Sequence, residues 1–229
     1  MTSRTRRTDA LSRERIVEAA VELLDSAGES GLTFRALAER LATGAGALYW
    51  HVANKGELLD AATEAVVSVA LSTPPVSGDT PGERIRAVAL GLYEAIDRHA
   101  WLGAQLATQF ARNPLNAVAP RVWESFGRQV RTLGVPEPAW FHSTSALVNY
   151  VLGAAGQNAV NAGGAQGRTG DRGTHLDSVA TAWEQLDSES YPFVRAVAGQ
   201  IRDHDDREQF LSGVDIVVAG IVAVHGRVL

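Results

Sequence analysis

Apolar side chains recur along this chain at three- and four-residue intervals, and no period-two alternation long enough for a half-buried strand competes with them. Ile16, Val17, Ala20, Leu23 and Leu24 form the first stripe. Ser12 before it is a good N-cap, and Gly28 after it can end the helix in left-handed backbone. A second, short helix is predicted after Thr33, with Phe34, Leu37, Ala38 and Leu41 on one face. Thr43-Gly44 breaks the pattern, and 45–51 predicts a third short helix. After Asn54-Lys55-Gly56, the positions Leu58, Leu59, Ala62, Val66 and Val69 mark a longer fourth helix from Glu57 to Ser72.

Residues 73–79 hold two prolines, a glycine and an aspartate, a linker by composition. Thr80-Pro81 then starts a helix with proline in its first turn. Helices are predicted at 80–99, 101–110, 115–133, 138–162, 175–187, 191–203 and 207–225, with a glycine-rich loop at 163–173. No internal repeat is apparent. The fold class is all-α: an N-terminal three-helix unit with helix-turn-helix layout in residues 1–57, and a larger helical domain in 58–229.

Composition narrows the chemistry. With 45% hydrophobic and 21% charged residues, the 229-residue chain can bury a sizeable core. It contains no cysteine, so disulfides, thiolate metal sites and cysteine nucleophiles are excluded. The polar, basic start carries no apolar targeting segment, and the apolar stretch at 214–224, interrupted by Asp215, is expected to be too short for a bilayer. These features predict a cytoplasmic protein with no membrane partner.

The net charge of −5 argues against a nucleic-acid partner until its distribution is considered. Residues 1–15 hold five arginines against Asp9 and Glu14, and 33–56 hold Arg35, Arg40 and Lys55 against Glu39. From residue 58 onward there are 13 basic and 18 acidic groups. A basic front on an acidic body suits docking onto an anion through the N-terminal end.

In a helix-turn-helix, one short helix enters the ~12 Å major groove while flanking groups hold phosphates. Leu37, Leu41 and Leu48 would lock the helix pair, with Thr33, Arg35, Tyr49, His51 and Lys55 around them as groups that reach DNA. Tyr49-Trp50-His51 on a short helix is costly surface unless it contacts something. The string Leu48-Tyr49-Trp50-His51-Val52, followed by Asn54-Lys55 and Leu58-Leu59-Asp60, resembles the tetracycline-repressor (TetR) family. That resemblance implies a homodimeric transcriptional repressor of a double-stranded DNA operator, bound at the nucleoid and released by a small-molecule effector. It further implies phosphate contacts for Thr33, Tyr49 and Lys55, base reading for Arg35, and backbone or groove contacts for Trp50 and His51. Ala45, Gly46 and Ala47 fall at the groove-facing start of the recognition helix. Here the chain departs from the family's pattern, because these side chains offer no hydrogen bond and can only touch a thymine methyl. Arg35 also has a local partner, Glu39, one helical turn on.

For the effector, the polar–aromatic mixture of 80–160 supplies candidate ligand-binding residues Trp101, Gln105, Gln109, Trp123, Phe126, His142 and Asn149. Ordinary core packing is the alternative for each aromatic, and a dimer interface is the alternative for Asn149. The histidines with which the family's namesake holds a magnesium–drug chelate have Ala70, Leu71 and Gln105 in their places, so no metal or cofactor is expected. Small residues at 153–156, Gly213, Ala219 and Gly220 suit close helix packing between two copies of the chain. No Gly-x-Ser-x-Gly elbow, phosphate loop or His-x-x-x-His spacing points to an enzyme. A DNA-binding activator, or an architectural protein without ligand sensing, would carry the same N-terminal unit.

Overall fold

The Ser12 hydroxyl accepts the Arg15 N–H and starts helix α1, Arg13–Gly31. Gly28, at φ +64°, kinks α1 but does not end it, since glycine enters left-handed backbone without a Cβ clash. Helix α2, Phe34–Arg40, is capped by Thr33. Helix α3 spans only Ala45–Leu48, because the predicted continuation to His51 winds into turns in which both His51 and Val52 donate to the Leu48 carbonyl. Helix α4, Lys55–Ala70, is capped by Asn54. Helix α5, Pro81–Arg98, starts on a complete Thr80–Glu83 capping box, whose hydrogen bonds hold the Glu83 carboxyl below its ordinary pKa.

The computed structural model describes residues 11–72, 80–112, 116–166 and 172–225. The arginine-rich start, the 73–79 linker and residues 167–171 of the glycine-rich loop lie outside the described residues. The remaining helices are α6, Leu102–Arg112; α7, Val118–Thr132; α8, Trp140–Gln166; α9, Arg172–Glu184; α10, Pro192–Val197; and α11, Asp206–His225. Short 3-10 turns precede α8 and follow α10. Helix α8 runs on through Gly163 and Gly164, where composition predicts a loop. Among the described residues there is no strand, and 81% of them are helical.

Two packed regions result. Leu24, Leu32, Leu37, Leu48, Val52 and Leu58 close a small core between α1 and the start of α4. Behind it, α5, α6, α7, α8 and α11 surround Ile85, Leu92, Leu106, Phe126, Val151 and Phe210, all essentially solvent-free. Each such side chain contributes about 1.5–3 kcal/mol by leaving water. Burial, with the nearby Asp206 carboxylate adding to it, raises the Tyr93 phenol above its ordinary pKa.

Helix α4 spans both regions. It packs on α1, and its end rests against Gly91 of α5, where a side chain would overlap the Ala70 carbonyl oxygen. Helix α11 corrects one expectation: it is long and apolar enough to cross a bilayer by length and composition. Phe210, Leu211, Val214 and Ile221 nevertheless pack inward, while Ile216, Val222 and Val224 stay exposed and Asp215 pairs with Arg86.

Candidate nucleic-acid interface

The sequence around α2 and α3 places polar and aromatic groups on one exposed edge. Thr33 uses its side-chain oxygen to cap α2, accepting the Ala36 N–H at 3.1 Å. Its own O–H remains a donor for a phosphate oxygen. Arg35 stands 90% exposed and meets Glu39 through Nε at 3.0 Å. A guanidinium held at Nε keeps its two terminal nitrogens for a bidentate partner.

Ala45 and Gly46 are exposed and Ala47 is half-buried on the single turn of α3, beside fully buried Leu48. The Tyr49 ring stacks on Phe34, centroids 4.4 Å apart and nearly parallel. That contact fixes the ring yet leaves Tyr49 more than half exposed. Trp50 is 91% exposed, and His51 beside it is half-buried. Lys55 differs from the free cation that a phosphate contact suggests, because its ammonium donates to the Glu29 carbonyl at 2.6 Å, near the end of α1. An ammonium has three protons, so this bond anchors the side chain and leaves donors over. An aromatic edge flanked by Arg35, Lys55 and a threonine donor can stack on sugar and bind phosphate, and only Arg35 among them offers a fork for a base.

The seven side chains expected to line an effector cavity do not converge. Trp101 and Gln105 reach α1 of the N-terminal unit, and Gln109 reaches the start of α4. The Trp101 indole donates to Asp25 at 2.7 Å, the Gln105 amide to Glu29 at 2.9 Å, and the Gln109 amide to Asp60 at 2.8 Å. His99 Nδ1 lies 2.8 Å from the same Asp25 oxygen, and Asn116 donates to the Gln109 carbonyl oxygen at 2.9 Å. Phe126 belongs to the central core. Trp123 stacks on exposed Phe141. His142 and Asn149 face outward on α8, where Asn149 needs no buried partner and donates to Ser145 one turn back.

Helical periodicity groups these residues by face but cannot say what the face meets. Asp25 and Glu29, two of the acceptors on the other side, gave no signal of their own, since exposed acids on a helix are common surface residues, and half-buried Asp60 stood out only as part of the family string. Phe34 was visible as an apolar position, though not as the base on which Tyr49 stacks.

Three clefts are relevant to a ligand. One of about 420 Å³ lies beside the Gln105–Glu29 and Gln109–Asp60 pairs. A second, about 470 Å³, opens between α1, α4 and α5 over Val17, Val21, Val66 and Val69. A third, about 570 Å³, lies between α8 and α11 and is walled by Tyr150, Asn158, Gln209 and Phe210. Among the described residues, no group of three or more acidic or histidine side chains is placed to hold a metal ion.

Comparison with known proteins agrees with this layout. The family profile described as bacterial regulatory proteins, tetR family, matches residues 16–62, and that of the tetracyclin repressor-like C-terminal domain matches residues 74–225. An HTH-type transcriptional regulator of Saccharopolyspora erythraea is 32% identical over 94% of this chain and 86% of its own length. The solved structure of the transcriptional regulator SCO7222, a TetR from Streptomyces coelicolor, superposes with a TM-score of 0.87 at 60% identity. That match covers 94% of this chain and all of SCO7222. The Streptomyces coelicolor TetR family protein ActR, solved in complex with actinorhodin, superposes at 0.77 with 26% identity, covering 96% of this chain and all of ActR.

Proposed function

The chain belongs to the tetR family of bacterial regulatory proteins, DNA-binding transcriptional regulators, and from that membership we propose that it is a homodimeric repressor released from a pseudo-palindromic operator by a small molecule. In this reading the DNA-reading unit is residues 1–57, and residues 58–229 dimerise and sense the effector in the cytoplasm, at the nucleoid. Thr33, Tyr49 and Lys55 hold phosphates, Arg35 reads a base, and Trp50 and His51 contact the backbone or groove. Ala45, Gly46 and Ala47 let α3 sit close to the bases.

The observation that carries the reading is the 91% exposed Trp50 at the end of α3, beside a tyrosine already fixed by its stack on Phe34. Without a partner, that surface would only cost solubility. Dimerisation is supported by the outward apolar side of α11 (Ile216, Val222, Val224) next to the small residues of α8. Two copies packing these helices would form a four-helix bundle.

The test is fluorescence anisotropy of the full chain on a duplex selected from random sequence, against a scrambled duplex, at two salt concentrations. Selective binding, with an affinity that falls linearly on a log–log salt plot, is the expected result. Equal, weak binding to both duplexes overturns the reading. Because ActR was solved with actinorhodin, actinorhodin is the first compound to try for release of the bound duplex.

A further inference from the structure

The bonds from Trp101, Gln105 and Gln109 form a ladder. The three donors are four residues apart, so they share one side of α6 and its first turn, spread over about 12 Å of helix. Two acceptors, Asp25 and Glu29, lie on α1 on either side of the Gly28 kink, and the third, Asp60, is on α4. Two rungs join the large helical domain to α1 of the N-terminal unit, and the third joins α6 to the start of α4, the helix that leads from one to the other.

The geometry matters more than the strength of any rung. Two attachment points on α1 define a line, and a third on another helix removes rotation about that line. Apart from the ladder and His99, whose Nδ1 shares the Asp25 oxygen, the N-terminal unit is held mainly through α4, at Gly91 and through the pairing of Arg121 with Glu64. Contacts along a single helix permit rotation about that helix's axis. The rungs to α1 lie off the α4 axis and oppose that rotation.

We propose that the ladder sets the spacing between operator half-sites that this protein accepts. Trp101, Gln105 and Gln109 are then positioning residues for DNA recognition, although they touch no DNA. The inference rests on the homodimeric reading above. In a dimer, the distance between the two recognition helices depends on how firmly each N-terminal unit is held to the dimerising domain. A rotation of about 10° at a lever of on the order of 20 Å moves a recognition helix by ~3.5 Å, about one base-pair step. A unit fixed at three points discriminates one inserted base pair, and a unit free to rotate accommodates it.

The test uses full-length protein and the duplex it selects from random sequence. Affinities are measured on that duplex, on versions with one and two base pairs inserted between the half-sites, and on an isolated half-site. Wild type is expected to lose at least about tenfold on the first insertion. Trp101→Phe with Gln105→Met and Gln109→Met keeps most of the side-chain bulk and removes the three donors, and is expected to lose less than about threefold. Asp25→Ala with Glu29→Ala, altering exposed acceptors only, should show the same flattened spacing profile, with half-site affinity unchanged. Gln105→Lys retains a donor for Glu29 and should keep the wild-type profile. Variants with the wild-type spacing profile would overturn the proposal, as would an equal loss on every duplex including the half-site. If wild type selects no paired half-sites, the dimeric reading falls and this proposal with it.

Discussion

In the first three helices the large aromatic side chains lie outside, with Trp50 91% exposed and Tyr49 held flat on Phe34. In the core of the helical body the reverse holds: Phe126 and Phe210 are sealed in, and Tyr93 and Tyr150 pack against Phe210, while Phe141 and Phe193 at its surface stay exposed. The same residue types serve opposite ends because the core around Leu37 and Leu48 is already closed by aliphatic side chains and has no room for them. An aromatic that folding does not bury is available for a ligand, and for Trp50 and Tyr49 the ligand we propose is DNA. The difference can be measured at single residues, and truncating an aromatic should have opposite consequences in the two regions.

Phe126→Ala is expected to have the largest effect, destabilising the protein by about 3–5 kcal/mol through lost burial and a residual cavity. Trp50→Ala should change stability by no more than about 0.5 kcal/mol, yet remove most of the affinity for the selected duplex. Urea unfolding together with anisotropy separates the two. Equal destabilisation by both substitutions would mean that Trp50 supports the fold and that the contrast between the regions is false.

Gly91→Ala addresses the join between the regions. A Cβ there would meet the Ala70 backbone, which cannot swing aside as a side chain can. The expected cost is about 1–3 kcal/mol of overpacking strain, visible as a lower urea midpoint. Since the displaced segment is the end of α4, weaker DNA binding should accompany it.

Legibility in the sequence followed the range of the interactions. Caps at Ser12, Thr33 and Thr80 are local, and each is found in place. The leucines of the small core came from helical periodicity, and the exposed aromatic edge that we propose faces DNA came from one short string, Tyr49-Trp50-His51. The ladder was not legible, because a glutamine in an apolar helix advertises the need for a partner without naming it. Gln105 meets an acceptor 76 residues away, and Gln109 one 49 residues away. The glycine-rich composition misled at 163–166, where α8 continues, for a related reason. Glycine costs a helix about 1 kcal/mol per residue, a local penalty that the packing of the rest of α8 on α5, α7 and α11 outweighs.

Within the DNA-facing edge, Arg35 and Lys55 should separate specificity from affinity. Arg35→Ala is expected to cost about 1–3 kcal/mol on the selected duplex and to relax the preference at one position per half-site. Lys55→Ala should weaken all duplexes alike and reduce the salt slope by about one. Its bond to the Glu29 carbonyl ties it to α1, so a thermal melt of the same variant separates loss of DNA contact from loss of that anchor. An unchanged ratio of selected to scrambled binding in Arg35→Ala would remove its base-reading role.

The smallest effect concerns Glu39, which holds Arg35 when no DNA is present. The pair is 3.0 Å apart, with side chains 90% and 66% exposed, and exposed ion pairs of this kind are worth only about 0.2–1 kcal/mol. Glu39→Gln keeps the side chain's length and removes its charge, so stability should change by a few tenths of a kcal/mol at most. DNA binding should tighten by a few-fold, since Arg35 no longer leaves a carboxylate to reach a base and one acidic group near the phosphates is gone. The gain should shrink as salt is raised, because both contributions are screened. It should also be absent in an Arg35→Ala background if the released guanidinium is its source. A gain that persists without Arg35 would instead assign the effect to the carboxylate's repulsion of the phosphates, leaving the Arg35–Glu39 pair as ordinary helix-surface charge.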